Sequence, residues 1–408
     1  MASTYLTRSL SSTSTSWTIS LWVKRSLISS NQYIISWGSS GSTSNGIGFS
    51  GADLFQYFSE ATSSNPASSA VYRDTNGWYH LVVKNNAGTI TLYVNGEAIT
   101  TTGGTSGSAL SSSTFTIGRW TTGAYSFNGS MSHVHLTDGT AYDATAFGQY
   151  DANGVWTIKT SPSVTYGTEG FFILKDGNSV TDQSGEGNDF TVAGGTLTNT
   201  EDSPSNVFAT MNPLFAGDAN ITYSNGNLKL TSTSEAQKNA VSTMAVSSGK
   251  WYCEMVSRTG TNYPGFGIMD SQSILQTSVS YLGSSIDSYC MFQQGDYYNN
   301  GSASSTGITW GVGSIMGIAI DLDSATKTIK FYKDGAEVHS ATIATPANGY
   351  VFAASHNTNG TISEINFGNG YFGTTAVTDA GINASGIGIF EYDVPTGYTA
   401  LSTKGLNL

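Results

Sequence analysis

The chain has 408 residues, a formal net charge of −12 and 11% charged residues, against roughly 25% in an ordinary soluble domain. Its few Lys and Arg form no basic run, which argues against nucleic acid and anionic membrane as partners, since both need a positive patch. No apolar run reaches the length of a membrane span, and 12% aromatic content sets the chain apart from disordered ones.

The surface must then be built from Ser, Thr, Asn, Gln and Gly, a neutral, hydrogen-bonding composition suited to a particle coat or a sugar-binding face. Met1–Arg8 has no apolar core and does not read as a signal peptide, so synthesis and residence in a cytoplasm are expected. Cys253 alternates with Trp251 and Met255, which places it as a small buried thiol. A Cys253–Cys290 disulfide is the alternative and needs an oxidising compartment that nothing else implies.

In chain order, residues 17–25 and 32–38 alternate as strands. A hairpin follows, with Tyr79, Leu81 and Val83 on one face opposite Ile90, Leu92 and Val94, closed by Asn95-Gly96. Asn-Gly supplies the positive φ angles of a tight turn. Residues 114–119 and 127–136 are further strands. No segment keeps a helical period; the best candidate is one turn near residues 143–147, with Asp143 as N-cap. Residues 150–212 are irregular, with a strand at 170–175 and a turn-rich loop at 182–190. Asn212-Pro213 marks the expected domain boundary. Beyond it the hairpin unit recurs: Ile318, Ile320 and Leu322 face Ile329 and Phe331, followed by Asp334-Gly335. Residues 390–398 read as an extended strap over a domain. The expected fold is therefore all-β, two tandem jelly-roll β-sandwiches.

The first half resembles the laminin-G-like, concanavalin-A-like jelly rolls. The residues that carry this are Trp17–Lys24, Gly77–Val83, Leu92–Gly96, Thr116–Arg119 and Phe127–Met131, in the expected order. The stretch Asp182-Gln183-Ser184-Gly185-Glu186-Gly187-Asn188-Asp189 is similar to one that usually opens such domains but stands here after the last strand. The resemblance thus implies a circularly permuted domain over 1–212 in which 166–196 pairs with the strands of 14–137. The second half, 213–408, resembles SPRY/B30.2 sandwiches through Gly249–Met255, Gly265–Ile268, Gly311–Asp321 and Ile329–Gly335. The pairing of the halves, the connector 202–214 and the ending 392–398 resemble virion appendage proteins of tailed phages, marine ones especially. That resemblance implies a virion-surface protein, a tail or head fibre or knob made in the host cytoplasm. Its implied partners are other virion proteins, a host-surface glycan and copies of itself, a trimer by the same resemblance.

Three constellations bear on chemistry. Asp321-Leu322-Asp323 is the nearest approach to a glycosidase carboxylate pair, yet it lacks a Glu partner and occupies a turn position, so no enzyme is expected. His133 and His135 share a strand face and, with Asp138, form a possible metal set; a polar outer face is the commoner use of such a pattern. Asp182, Asn188 and Asp189 offer oxygen ligands to calcium, which some laminin-G-like domains bind, though Asp and Asn more often stabilise turns. No other cofactor is expected.

Exposed aromatics beside amides are the better lead, because a sugar offers a C–H face for stacking and hydroxyls for amides. Trp120 and Tyr125 in one loop, and Tyr297, Tyr298, Asn299 and Asn300 in another, are the candidate ligand-binding residues. Packing on their own domain or in a subunit interface is the alternative for each. The function expected is receptor binding by a virion appendage. The rivals are a purely structural capsid or tail decoration protein, a polysaccharide-degrading enzyme and a secreted lectin.

Overall fold

The computed structural model describes residues 4–38, 43–62, 65–175, 177, 179–215, 220–259, 264–272 and 281–407. The chain divides into two compact units, one of Met1–Asn199 with Ser203–Ser205 and one of Thr200–Asp202 with Asn206–Leu408. The division falls before Asn212 because Ala209 and Met211 already pack in the second unit's core.

The first unit is an antiparallel sandwich. One sheet runs, edge to edge, Thr101–Thr102, Ala67–Val71, Leu54–Ser59, Asn45–Phe49, Gln32–Trp37, Thr114–Ile117, Tyr5–Ser9 and Thr191–Gly194. The other runs Phe171–Ile173, Gly129–Asp138, Trp17–Arg25, Trp78–Asn86, Thr89–Val94 and Glu97–Ala98. Alternation dictates the core: Leu81, Val83, Ile90, Leu92 and Val94 point inward, meeting Trp37, Phe49, Phe55 and Phe115 from the facing sheet. Trp17 and Trp37 meet edge to face at 5.2 Å in its interior. Asn95 (φ 50°) and Gly96 (φ 91°) do adopt the left-handed conformation that their turn requires. Of residues 166–196, Phe171–Ile173 pairs with Val134–Leu136, inside the implied 14–137, while Thr191–Gly194 pairs with Tyr5–Thr7, a strand before that range.

The helical turn at 143–147 is a single 3-10 turn, Ala144–Ala146, but Asp143 does not cap it. Its carboxylate accepts instead from Lys84 Nζ (2.5 Å) and the Tyr93 hydroxyl. An ammonium and a phenol compete better for this oxygen than the N–H groups of one short turn.

The second unit is also a sandwich, antiparallel except that Thr399–Ala400 pairs parallel with Trp251–Tyr252. One sheet is ordered Ile221–Ser224, Lys229–Ser232, Ile362–Asn366, Lys250–Thr259, Ile315–Asp321, Thr328–Lys333 and Ala336–Thr342. The facing sheet is ordered Lys238–Val241, Tyr350–His356, Gly265–Asp270, Ser288–Phe292, Asp296–Asn299 and Ser302–Ser305. Ile318 lies opposite Phe331 and Ile320 opposite Ile329, all inside the core. Phe390, Val394, Tyr398 and Ala400 of the C-terminal segment cover Tyr252 and Ala319 on the outer face of the first of these sheets. Cys253 and Cys290 are both buried and free, so the disulfide alternative falls. Register explains it: Cys253 faces the main core while Cys290 belongs to a separate cluster with Phe292 and Val351.

Candidate functional site

The first unit presents a groove on the outer face of its larger sheet. Strand geometry sets its floor. In Leu54–Ser59 alternation points Phe55 and Tyr57 inward and Gln56 and Phe58 outward; in Gln32–Trp37 the core takes Ile34, Ile35 and Trp37, and a register shift between Tyr33 and Ile35 breaks the alternation and leaves Tyr33 outward. Between these strands Gly46 leaves room that a side chain would fill, since a Cβ there would lie 2.5 Å from the Trp120 ring and 2.7 Å from that of Tyr33.

The loop 118–127 supplies the wall. It is laid along the Gln32–Trp37 strand by backbone bonds from Gly118 N to Ile34 O (2.7 Å) and from Tyr33 N to Tyr125 O (2.8 Å). Trp120 closes the loop on itself, donating its N–H to Ala124 O at 3.1 Å and accepting from Gly123 N at 2.9 Å. The result is an aromatic cluster around Tyr33, with Trp120 at 4.4 Å, Tyr125 at 6.2 Å and Phe58 at 6.2 Å between ring centroids. Trp120 is 8% exposed and Tyr125 55% exposed, so the first is the floor and the second a free ring at the rim.

Asn31, Gln56, Asn65 and Glu60 complete a cavity of about 420 Å³, within the usual range for a small-ligand site. Asn31 Oδ1 is held by Gly51 N (2.7 Å) and Glu60 Oε2 by Ser44 N (3.3 Å), which orients both side chains. The Gln56 amide has no protein partner among the described residues. Burial first, then the neighbouring Tyr125 and Glu60, pushes the Tyr33 phenol up to about 12, so it remains a hydrogen-bond donor at neutral pH.

Of the sequence candidates, the structure brings Trp120 and Tyr125 together in this groove. Tyr33, Gln56 and Phe58 were missed. Gln56 and Phe58 carried an available signal, the outward positions of an alternating strand; Tyr33 carried none, because period two groups it with Ile35 and Trp37 and the register shift that frees it is not legible in the sequence.

The second set is placed differently from the loop expected. Tyr297, Tyr298 and Asn299 lie in the strand Asp296–Asn299, and only Asn300 (φ 52°) occupies the turn to the next strand. Being adjacent on a strand, the two tyrosines face opposite ways. Tyr297 packs against the main core and on His339 at 4.6 Å, while Tyr298 packs on Phe292 at 5.2 Å and Tyr281 at 5.7 Å. Asn299 spends its amide on Ile286 O (2.8 Å) and Ser288 O (3.0 Å). These side chains hold the sheet and form no common platform.

Asp182, Asn188 and Asp189 build a loop. Asp182 accepts from Phe172 N, Ser184 N, Ser184 Oγ and Asn188 N at 2.7–2.9 Å, four donors that fill both oxygens and hold its carboxyl below the usual range. Asn188 Nδ2 binds Thr168 O (2.9 Å) and Gly170 O (2.6 Å), and Asp189 Oδ1 accepts from Asp182 N (2.7 Å). Calcium ligation by Asp182 would require N–H groups aimed at its carboxylate to turn away.

His133 and His135 are not a polar outer face. Both are buried and pack on Phe172, at 5.6 and 3.9 Å, and His135 Nδ1 meets the Tyr166 hydroxyl at 3.0 Å. A register shift between Ser132 and His135, with His133 at φ 49°, interrupts the alternation that the strand reading assumed. Asp138 accepts from Glu169 N (3.2 Å) instead of joining them. No group of three His, Cys, Asp or Glu side chains converges as a metal site among the described residues. Asp321 is a turn carboxylate, bound by Asp323 N, Ser324 N and Oγ, and Lys250 Nζ at 2.6–3.0 Å, which keep it well below the ordinary range.

Residues 2–145, which contain every residue of the groove, match the family model of the concanavalin A-like lectin/glucanases superfamily. No curated protein sequence matches the chain. Among solved structures, a human SPRY domain is 19% identical over 36% of this chain and 94% of its own, with a TM-score of 0.31. The SPRY domain of human HERC1 is 18% identical over 38% and 96%, with a TM-score of 0.31. The heptameric SAP-like pentraxin of Limulus polyphemus is 18% identical over 34% and 70%, with a TM-score of 0.28. The chain thus combines a concanavalin-A-like first unit with an all-β second unit.

Proposed function

We propose that this protein binds carbohydrate through the groove of its first unit, as a virion appendage that holds a host-surface glycan. One observation carries the reading: the exposed Tyr125 ring stands beside Tyr33 and Trp120, with the unengaged Gln56 amide in the same groove. Such a site offers a stacking surface and hydrogen-bonding groups together, and it lies in the segment similar to a lectin and glucanase superfamily. The virion setting rests on the resemblance of the whole chain to tailed-phage appendages.

Binding is favoured over hydrolysis because glycosidases place two carboxyls on either side of the scissile bond. Glu60 is the single carboxylate lining the groove among its described residues. One such site binds weakly; assembly of several copies, a trimer by the same resemblance, raises avidity by roughly 10²–10⁴ without new contacts. The test is an oligosaccharide array probed with the wild-type protein and with Tyr125→Ala, followed by adsorption of particles carrying each. Loss of both signals on Tyr125→Ala is the expected result. Unchanged adsorption by normally assembled particles assigns host contact elsewhere and leaves the decoration role.

A further inference from the structure

Resting on that reading, we infer that Glu60 sets the charge of the ligand: the groove takes an uncharged sugar and rejects sugars bearing carboxylate or sulfate. Among the described residues the groove has one carboxylate and no cation to balance it. Its lining contains Glu60 and neither Lys nor Arg among the described residues. Arg119, adjacent to Trp120 in sequence, is not available, because its guanidinium lies 3.3 Å over the Tyr5 ring.

Glu60 is also held in place. Its backbone N–H binds Ser44 O at 3.0 Å while Ser44 N donates to Oε2 at 3.3 Å, and among the described residues no hydrogen bond takes Oε1. A fixed carboxylate with a free oxygen accepts readily from a sugar hydroxyl. The same oxygen repels an anionic sugar in the groove, where an aromatic wall and floor reduce screening by water. The Tyr33 phenol and the Glu60 carboxylate both line the groove, which offers a sugar a donor and an acceptor.

The experiment compares neutral oligosaccharides with uronate- or sulfate-bearing ones of matched length, on the full chain and on two variants. Wild type should prefer the neutral set by about tenfold or more, a preference that shrinks with added salt. Glu60→Gln, which keeps an oxygen for Ser44 N, should reduce the neutral-to-anionic ratio to within a fewfold of unity. Glu186→Gln, an exposed acid in the 182–189 loop, tests whether the overall charge of −12 is responsible and should leave the ratio unchanged. Equal binding of both sets by wild type, or an equal effect of the two variants, overturns the assignment while the carbohydrate-binding reading stands. Binding of neither set overturns both.

Discussion

Tyr33 and Trp120 pack with ring centroids 4.4 Å apart and planes inclined at 44°, although they come from different elements. Tyr33 belongs to a strand and Trp120 to the loop folded back over it, so their contact anchors that loop on the sheet. The space for it is provided by Gly46.

Trp120 and Tyr125 should therefore respond differently to truncation. Trp120→Ala removes a ring packed on Tyr33 and Phe58, and should cost about 3 kcal/mol of stability in denaturant titration. Tyr125→Ala, at an exposed position, should leave the unfolding midpoint within about 0.5 kcal/mol of wild type. It should still weaken sugar binding by roughly tenfold. A Tyr125→Ala protein that unfolds as readily as Trp120→Ala would make the ring structural.

Gly46→Ala is a sharper probe of the same floor. Its new methyl group would lie 2.5 Å from Trp120, so the ring must move. The expected outcome is a changed tryptophan fluorescence spectrum and reduced sugar binding, with the unit still folded. An unaltered affinity would show that the position of the Trp120 ring does not matter to the site.

The strands were legible because period two needs only neighbouring residues, and Leu81, Val83, Ile90, Leu92 and Val94 all went where alternation sent them. The groove was half legible. Trp120 and Tyr125 stand close together in one Gly-containing loop, but Tyr33, Gln56 and Phe58 join them only through strand order and register, which are non-local. The same limit misplaced Tyr297 and Tyr298. Their polar neighbours suggest a loop, and only the pairing of Cys290 with Tyr298 and Met291 with Tyr297 makes the segment a strand.

Tyr297→Ala and Tyr298→Ala should accordingly act on stability, each by about 2–4 kcal/mol, because both rings sit in aromatic clusters of the second unit. Sugar binding by the folded fraction should be unchanged. Stable variants with lost glycan binding would restore these residues as a ligand site.

Buried histidines predict acid lability. Burial lowers His80 to about 3 and His356 to about 4, and lowers His135 well below its usual value. His80 is held neutral in one tautomer, accepting from Trp156 Nε1 at 3.0 Å and facing Ser20 Oγ at 2.9 Å through Nε2. In the unfolded chain these groups titrate near 6.5. The stabilisation is therefore complete above about pH 6.5 and is lost as pH falls toward the folded values. Denaturant midpoints should fall steadily from pH 6.5 to 4.5, and a flat profile across that window would contradict the burial of these rings.

Glu254 predicts a slope of the opposite sign at higher pH. Its carboxyl is buried beneath the C-terminal segment, where Oε2 accepts from Glu391 N and Oε1 from Tyr392 N, both at 2.9 Å. Burial outweighs these bonds and raises it from 4.5 to about 7. A carboxyl raised in the folded state contributes stability that is complete below its unfolded value and is lost as pH rises through about 7. In the unfolded chain the histidines still titrate near 6.5, so Glu254 is isolated in the window from 6.5 to 8.5 by following the opening of the segment that covers it, together with Tyr252 and Ala319. Hydrogen exchange of residues 387–401, corrected for intrinsic rates, should show falling protection across that window. Glu254→Gln cannot ionise and should show a flat profile, at lower overall protection because one of the two N–H groups then faces the amide's own donors. Falling protection that persists in Glu254→Gln would assign the slope to another group.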